Sequence, residues 1–339
     1  MRRYGLRLCV AAVADSSGAV AAAPELPDAY IARLVGHKAA GRALADLPGD
    51  ASDTSATLSA EKLARLTDEL SADATDGRLV LVDASATDTT ALLIEARRLG
   101  WSLALANKLP LTGPMRDFEA ITLAGRGARW ETTVASALPV MSSLQSLVER
   151  GDHVRWVTGA FSGTMGYVVH RLEQGGDLSE AVAEAVSRGY VEPDPRADLS
   201  GLDAGRKALI VARTIGYELE LADVAIEGLY PPEWDRLELG EFRARLPEID
   251  DLMARRVAAS RDAGSRVRYL AYVGEGTART EVADVAAGSR LAGRHATDSL
   301  AVIETDHFRT NPLVLSGRGG GPKVTAAGVL GDVLSLVRD

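Results

Sequence analysis

Short apolar runs alternate with amphipathic stretches over residues 1–130. Residues 6–14 read as a buried strand ending in a turn at Asp15-Ser-Ser-Gly18, and Cys9 within that run reads as a buried small hydrophobe. Residues 60–70 carry lysine, arginine and glutamate along one side and predict a helix. Residues 78–83 and 101–106 are apolar in the manner of strands buried in a parallel sheet, with a helical stretch, 90–99, between them. This alternation predicts a doubly wound α/β domain. The stretch 49–60, rich in Ser, Thr, Asp and Ala, predicts a mobile loop.

The pattern changes from residue 131. Residues 138–148 and 178–187 predict amphipathic helices, the second started by Asp177 and Glu180 in a capping-box arrangement. Residues 154–157, 266–273 and 301–305 predict strands with one polar face, hence an α+β region with a half-exposed sheet. A helix over 247–261 starts on a proline. A strand over 312–315, the loop Gly317-Arg-Gly-Gly-Gly321 and a helix over 324–336 complete the chain.

Composition narrows the function classes. The chain has 339 residues, 46% hydrophobic and 25% charged, with a net charge of −9. An acidic balance argues against nucleic acid or an anionic membrane as the main partner. A single cysteine excludes an internal disulfide framework, and the five histidines show no metal-ligand spacing. Arg2-Arg3 and the apolar run that follows loosely imitate a signal peptide, but its apolar core sits at or below the short end of the usual range and is flanked by Arg7 and Asp15. No stretch approaches the roughly 18–20 apolar residues needed to span a bilayer. A cytoplasmic enzyme fits these features.

Chemistry concentrates between Glu192 and Lys207, where four carboxylates and a lysine fall within sixteen residues. Pro193 and Pro195 stiffen the loop presenting Glu192. Asp203 and Lys207 lie four apart on a helix and so share a face. As an isolated surface pair they would contribute only about 0.3–0.5 kcal/mol; held where a kinked loop meets an apolar helix, they suit proton transfer.

The segment from Gly189 to Lys207 resembles the substrate and catalytic loop of the homoserine dehydrogenases, Gly-Tyr-x-Glu-x-Asp-Pro-x-x-Asp-x-x-Gly-x-Asp-x-x-x-Lys, with every fixed position in register. The likeness is closest to the homoserine dehydrogenase half of bifunctional aspartokinase–homoserine dehydrogenases. It runs from about residue 6 to the C-terminus, with no aspartokinase half. Ala106-Asn-Lys108 resembles the family's turn beside the nicotinamide, and Val82-Asp-Ala-Ser85 its Val-Asp-Cys-Thr turn. Gly159-Ala-Phe-Ser-Gly-Thr164 resembles a substrate-binding segment, with Ser162, Gly163 and Thr164 offering hydroxyl and backbone donors; a polar helix start accounts for the same residues. Gly317-Arg-Gly-Gly-Gly321 resembles the loop that returns to the nucleotide domain, where Gly319, Gly320 and Gly321 would contact cofactor. Trp130-Glu-Thr-Thr-Val-Ala-Ser-Ala-Leu138-Pro resembles a loop that holds sodium or potassium in some relatives, through positions Glu131, Val134, Ser136 and Leu138. Ala135 and Ala137 replace glycines there, which argues against the cation and predicts strain if those positions need φ > 0.

The resemblance implies a nucleotide-binding domain over 1–130, a catalytic and dimerisation domain over 131–305, and a returning segment over 306–339. It implies NADP- or NAD-dependent interconversion of L-aspartate 4-semialdehyde and L-homoserine by a homodimer. Lys207 would carry the proton and Lys108 would place a second positive charge. Glu192 and Asp203 would bind substrate and position Lys207, and Asp198 would support the loop. Asp15 or Ser16 would lie near the adenosine ribose, and Ser85 and Asn107 by the cofactor.

The family's first strand and Gly-x-Gly-x-x-Gly turn have no counterpart before residue 6. Two expectations compete: a start assigned on the order of thirty residues too late, which is favoured, or a truncated chain with impaired cofactor binding. The alternative to an enzyme is a noncatalytic paralogue that binds substrate or a partner subunit.

Overall fold

A computed structural model describes residues 5–47, 59–72, 78–123, 127–191, 193–293 and 298–338. The chain divides into two compact units, Met1–Leu81 with Thr87–Leu103, and Val82–Ala86 with Ala104–Asp339. The loop expected at 49–60 lies almost wholly outside the described residues.

In the smaller unit, β1 (Ala12–Asp15) and β2 (Gly18–Ala21) pair antiparallel across a two-residue turn, Ala12 opposite Ala21 and Asp15 opposite Gly18. This differs from the single buried strand expected over 6–14. The ladder is short, and among the described residues β1 pairs with β2 alone. The apolar run ahead of β1 is therefore left uncovered: Leu8 is 38% and Val10 40% exposed, and Cys9 is exposed rather than buried. The turn is as expected. Asp15 Oδ1 accepts the Ser17 and Gly18 amides at 2.8 and 3.2 Å, an Asx turn. Val20, Leu26, Leu34, Leu44 and Leu47 form a small core against α1 (Asp28–Ala39). α2 (Ala60–Ala72) buries Leu63 and Leu66, and its Thr67 hydroxyl receives the Trp101 indole N–H at 2.8 Å.

β3 (Val80–Asp83), α3 (Thr90–Arg98) and β4 (Ser102–Leu105) follow the expected alternation. With β5 (Ala128–Arg129), after α4 (Met115–Thr122), they give a three-stranded sheet in the order β3-β4-β5. Leu103, Ala104 and Leu105 are completely buried, as an unbroken apolar strand requires.

The larger unit continues with α5 (Thr132–Ala135), α6 (Val140–Glu149), β6 (Val154–Ala160), α7 (Gly163–Glu173) and α8 (Leu178–Ser187). Next come α9 (Arg196–Leu199), α10 (Leu202–Thr214), β7 (Ala225–Ile226), α11 (Leu239–Arg245) and α12 (Asp250–Asp262). β8 (Ser265–Gly274), β9 (Thr277–Ala286), β10 (Asp298–Thr305), β11 (Leu313–Arg318) and α13 (Pro322–Arg338) end the chain. A six-stranded sheet runs β11-β10-β6-β8-β9-β7, antiparallel except for β7 beside β9. Strand β9, polar at alternate positions, is absent from the elements read off the sequence. The capping box expected at Asp177 is also different: Asp177 stands at the N-cap without a side-chain bond. Asp250 supplies the acceptors instead, taking the Ser179 amide at 2.8 Å and its hydroxyl at 2.6 Å.

One face of the sheet carries α7, α10 and α12 over a core that includes Val267, Tyr269 and Val282. The other face presents a cross-strand row, Val314, Val302, Thr158 and Tyr272, all half-buried. The half-exposed sheet expected from alternation is thus present. No helix among the described residues is long and apolar enough to cross a membrane.

Close backbone approach sets the start of α10. Gly201 has φ 78°, and a Cβ there would meet Tyr269 Oη at 2.3 Å and the Glu227 carbonyl oxygen at 2.9 Å. Tyr269 Oη itself donates to that carbonyl at 2.6 Å, so the neighbour is not free to yield. Gly201→Ala is expected to lower stability by about 1–3 kcal/mol, measured by urea unfolding; an unchanged midpoint would show that the approach is not limiting.

Candidate active site

Helix α10 forms because Ala204, Ala208, Leu209, Val211 and Ala212 give it a continuous buried side. Gly205 admits Ile226, whose Cδ1 would lie 2.3 Å from a Cβ there. Asp203 and Lys207 project from the less buried side. Asp203 is the centre of the arrangement: Oδ2 meets Lys207 Nζ at 2.8 Å and Oδ1 meets Lys108 Nζ at 3.2 Å. Lys207 Nζ also donates to the Phe161 carbonyl at 2.8 Å. Burial alone would push the Asp203 carboxyl up, but the two ammonium groups outweigh it and bring it down to about 2. Asp203 is therefore ionised throughout the physiological range.

Lys108 arrives by a different route. Asn107, almost fully buried at the end of β4, donates to Asp83 Oδ2 at 3.0 Å and to Ser85 Oγ at 3.2 Å, and its Oδ1 accepts the Leu109 amide at 3.1 Å. These bonds join the carboxyl ends of β3 and β4 and start the short 3-10 turn Leu109–Leu111. Open α/β sheets place ligand-binding groups at that end of their strands.

The 159–164 segment reaches the same place through Phe161. A Cβ on Gly159 would meet the Phe161 ring at 2.0 Å, so only glycine lets the ring fold back while the carbonyl faces Lys207. Ser162 caps α7, its Oγ accepting the Met165 amide at 3.2 Å, with Gly163 as the first helical residue. Thr164 Oγ1 donates to the Tyr190 carbonyl at 2.9 Å, tying α7 to the loop that follows α8. Asp198, on α9, lines a cavity of about 290 Å³ with Val186, Gly189, Tyr190, Val191 and Pro193. Glu192 lies outside the described residues.

The proposed cation loop carries its own bonds. Glu131 Oε1 and Oε2 accept the Met141 and Ser142 amides, each at 2.9 Å, so its carboxylate caps α6. The Leu138 carbonyl accepts the Val140 amide at 2.7 Å. The residue at positive φ is Ser136, at 54°; neither Ala135 nor Ala137 has positive φ, so the condition under which alanine would strain this turn is not met. Val134 lies buried in α5. A cation beside the positive end of α6, with the carboxylate already committed, does not fit.

Ser136 Oγ donates to the Gly319 carbonyl at 3.2 Å, fixing the glycine loop ahead of α13. Gly320 and Gly321 face open space within 4 Å of where a Cβ would stand, and Gly321 has φ 112°. In the smaller unit Ser16 is exposed. The Asp15 carboxylate, by contrast, is engaged by Lys38 Nζ at 2.5 Å as well as by its turn.

The chain matches the family model described as homoserine dehydrogenase over residues 139–334. It belongs to the homoserine dehydrogenase family. It is 34% identical over 265 residues to a bifunctional aspartokinase/homoserine dehydrogenase of Haemophilus influenzae, covering 76% of this chain and 32% of that protein. It is 33% identical over 279 residues to a homoserine dehydrogenase of Emericella nidulans, covering 77% of this chain and 76% of that one. The chain thus spans about a third of the length of the bifunctional relative. A solved Candida auris protein of unknown function superposes with a TM-score of 0.83 at 27% identity, over 98% of this chain and 92% of that chain. The fold class expected from the sequence, mixed α/β with a Rossmann-like part and a catalytic part, is the family's.

Asp332 of α13 gives a test of how the glycine-loop helix is seated. It accepts the Glu131 amide at 3.0 Å. Burial, reinforced by the Glu131 charge, pushes its carboxyl up to about 7. A raised carboxyl stabilises the fold fully below its ordinary value of 3.8, and that contribution is lost as pH rises through about 7. Asp332→Asn is expected to flatten the fall in thermal midpoint between pH 4 and 7 and to raise the midpoint at pH 8 by about 3 °C. An unchanged slope would show that the carboxyl is ionised in the fold throughout.

Proposed function

We propose that this chain catalyses the NAD(P)-dependent interconversion of L-aspartate 4-semialdehyde and L-homoserine in threonine, methionine and isoleucine biosynthesis. The observation that carries this reading is the Asp203 carboxylate shared between Lys207 and Lys108.

The nicotinamide cofactor, when bound, supplies or accepts hydride. The residues suited to hold it are Ser85, Asn107 and Lys108 at the strand ends and the Gly319–Gly321 loop, where the open, side-chain-free backbone at Gly320 and Gly321 suits a diphosphate. Asp15 and Ser16 remain candidates for the adenosine end, Ser16 through its exposed hydroxyl. In reduction, Lys207 Nζ gives a proton to the forming alkoxide oxygen while Asp203 and the Phe161 carbonyl fix its position. Lys108 supports the same oxygen electrostatically. Asp198 and Thr164, with Ser162 and Gly163 at the start of α7, would line the substrate side, and Glu192, outside the described residues, would take the substrate ammonium group as the family resemblance implies. The noncatalytic alternative has no use for one carboxylate shared by two ammonium groups.

In the oxidative direction Lys207 must take up the hydroxyl proton, so it must enter the step as the free amine. Homoserine oxidation is therefore expected to rise with pH into the alkaline range. Lys207→Met is expected to cut turnover by at least a hundredfold, about 3 kcal/mol, with cofactor binding by calorimetry preserved. A flat pH profile, or turnover retained in Lys207→Met, would sink the assignment.

The family's homodimer would pair through the half-buried sheet row of Val314, Val302, Thr158 and Tyr272, in the cytoplasm. In sedimentation velocity the wild type is expected to be a dimer and Val302→Lys a monomer. A monomeric wild type would reject this surface.

A further inference from the structure

Asp194 is a fixed position of the substrate-loop pattern for which the reaction provides no task. Its carboxylate is chelated by Arg196: Nε donates to Oδ1 at 2.9 Å, Nη2 to Oδ2 at 2.5 Å, and the Arg196 amide to Oδ1 at 3.1 Å. The pairing raises the charge affinity on both sides, holding Asp194 below the usual carboxylate range. The same guanidinium donates Nη1 to the carbonyls of Leu237 and Asp235, at 2.7 and 3.2 Å, and lies 5.7 Å from the Phe242 ring centroid. One residue from Glu192, the Pro193 carbonyl receives a hydrogen bond from Arg243 Nη2.

Two roles are open to this set. As an ion pair with the Asp194 side chain 44% exposed, its worth to stability is about 0–1 kcal/mol. Its geometry is more specific than that value. A planar guanidinium joins a loop carboxylate to two main-chain carbonyls of a separate segment, which a point-charged ammonium cannot reproduce. What it fastens is the cavity wall, since Pro193 and Asp198 lie on either side of Arg196 and both line the cavity of about 290 Å³. Small displacements of such a wall cost far more in substrate affinity than in stability.

We propose that Asp194, Arg196 and Arg243 form a clamp that sets the position of the substrate loop, which makes Arg196 a positioning residue for the reaction. The inference rests on the function proposed above. It is tested with Arg196→Gln, Arg196→Lys, Asp194→Asn and the double variant Asp194→Asn/Arg196→Gln. Each is assayed for homoserine oxidation and for chymotrypsin cleavage after Tyr190 under native conditions. The expected result for Arg196→Gln is a KM for homoserine raised about tenfold, with kcat and the cofactor KM within threefold and faster cleavage. Arg196→Lys does not rescue, and the double variant is no worse than Arg196→Gln, because the two residues act as one unit. Should Arg196→Gln fail to fold, Asp194→Asn carries the same expectation. A wild-type KM in the variants, or full rescue by lysine, overturns the clamp. If the wild type does not oxidise homoserine, the functional reading fails on its own. The cleavage rate then still decides the clamp, which an unaltered rate refutes.

Discussion

The Asp203 carboxylate shared by two ammonium groups is the constraint on which the rest of this site depends. Lys207 comes from its own helix, one turn away, and Lys108 comes from the end of a buried strand. Two like charges brought to one oxygen pair would repel, and the carboxylate between them makes the arrangement favourable. The drop of the Asp203 carboxyl to about 2, against the push of burial, records how strongly the pair is satisfied.

That meeting point is set by backbone as much as by charge. Gly201 allows α10 to start against Tyr269, Gly205 admits Ile226, and Gly159 lets the Phe161 ring fold away so that its carbonyl faces Lys207. Gly328 does the same for α13, where a Cβ would stand 2.5 Å from Thr132 Cγ2 and 3.2 Å from Ala137 Cβ. The alanine at 137 is thus accommodated by a glycine facing it. The positive φ of this turn sits on Ser136, whose hydroxyl holds the glycine loop, and not on Ala135 or Ala137.

Much of this was legible in the sequence because period and motif are local properties. The α8 and α10 helices, the β4 strand and the i,i+4 relation of Asp203 to Lys207 needed nothing from distant residues. What escaped depends on partners far along the chain. The 6–14 run reads as a buried strand, yet burial needs neighbours on both sides, and among the described residues β1 pairs only with β2. Asp177 has the right identity and position for a cap, but Asp250, 71 residues beyond the Ser179 amide it accepts, takes the role. The Phe161 carbonyl is invisible to side-chain reasoning because every residue has one. Arg196 could have been suspected from the motif, where it stands two residues after a fixed aspartate without a substrate role.

The measurement that tests the central claim most directly is single-turnover hydride transfer in Asp203→Asn, followed by NADPH absorbance with L-aspartate 4-semialdehyde at neutral pH. Asparagine keeps the shape and loses the charge that holds Lys207 and Lys108 together. The rate is expected to fall at least a hundredfold, about 3 kcal/mol, with the thermal midpoint within about 3 °C of wild type. A rate within threefold of wild type would contradict the claim that this shared carboxylate organises the proton carrier.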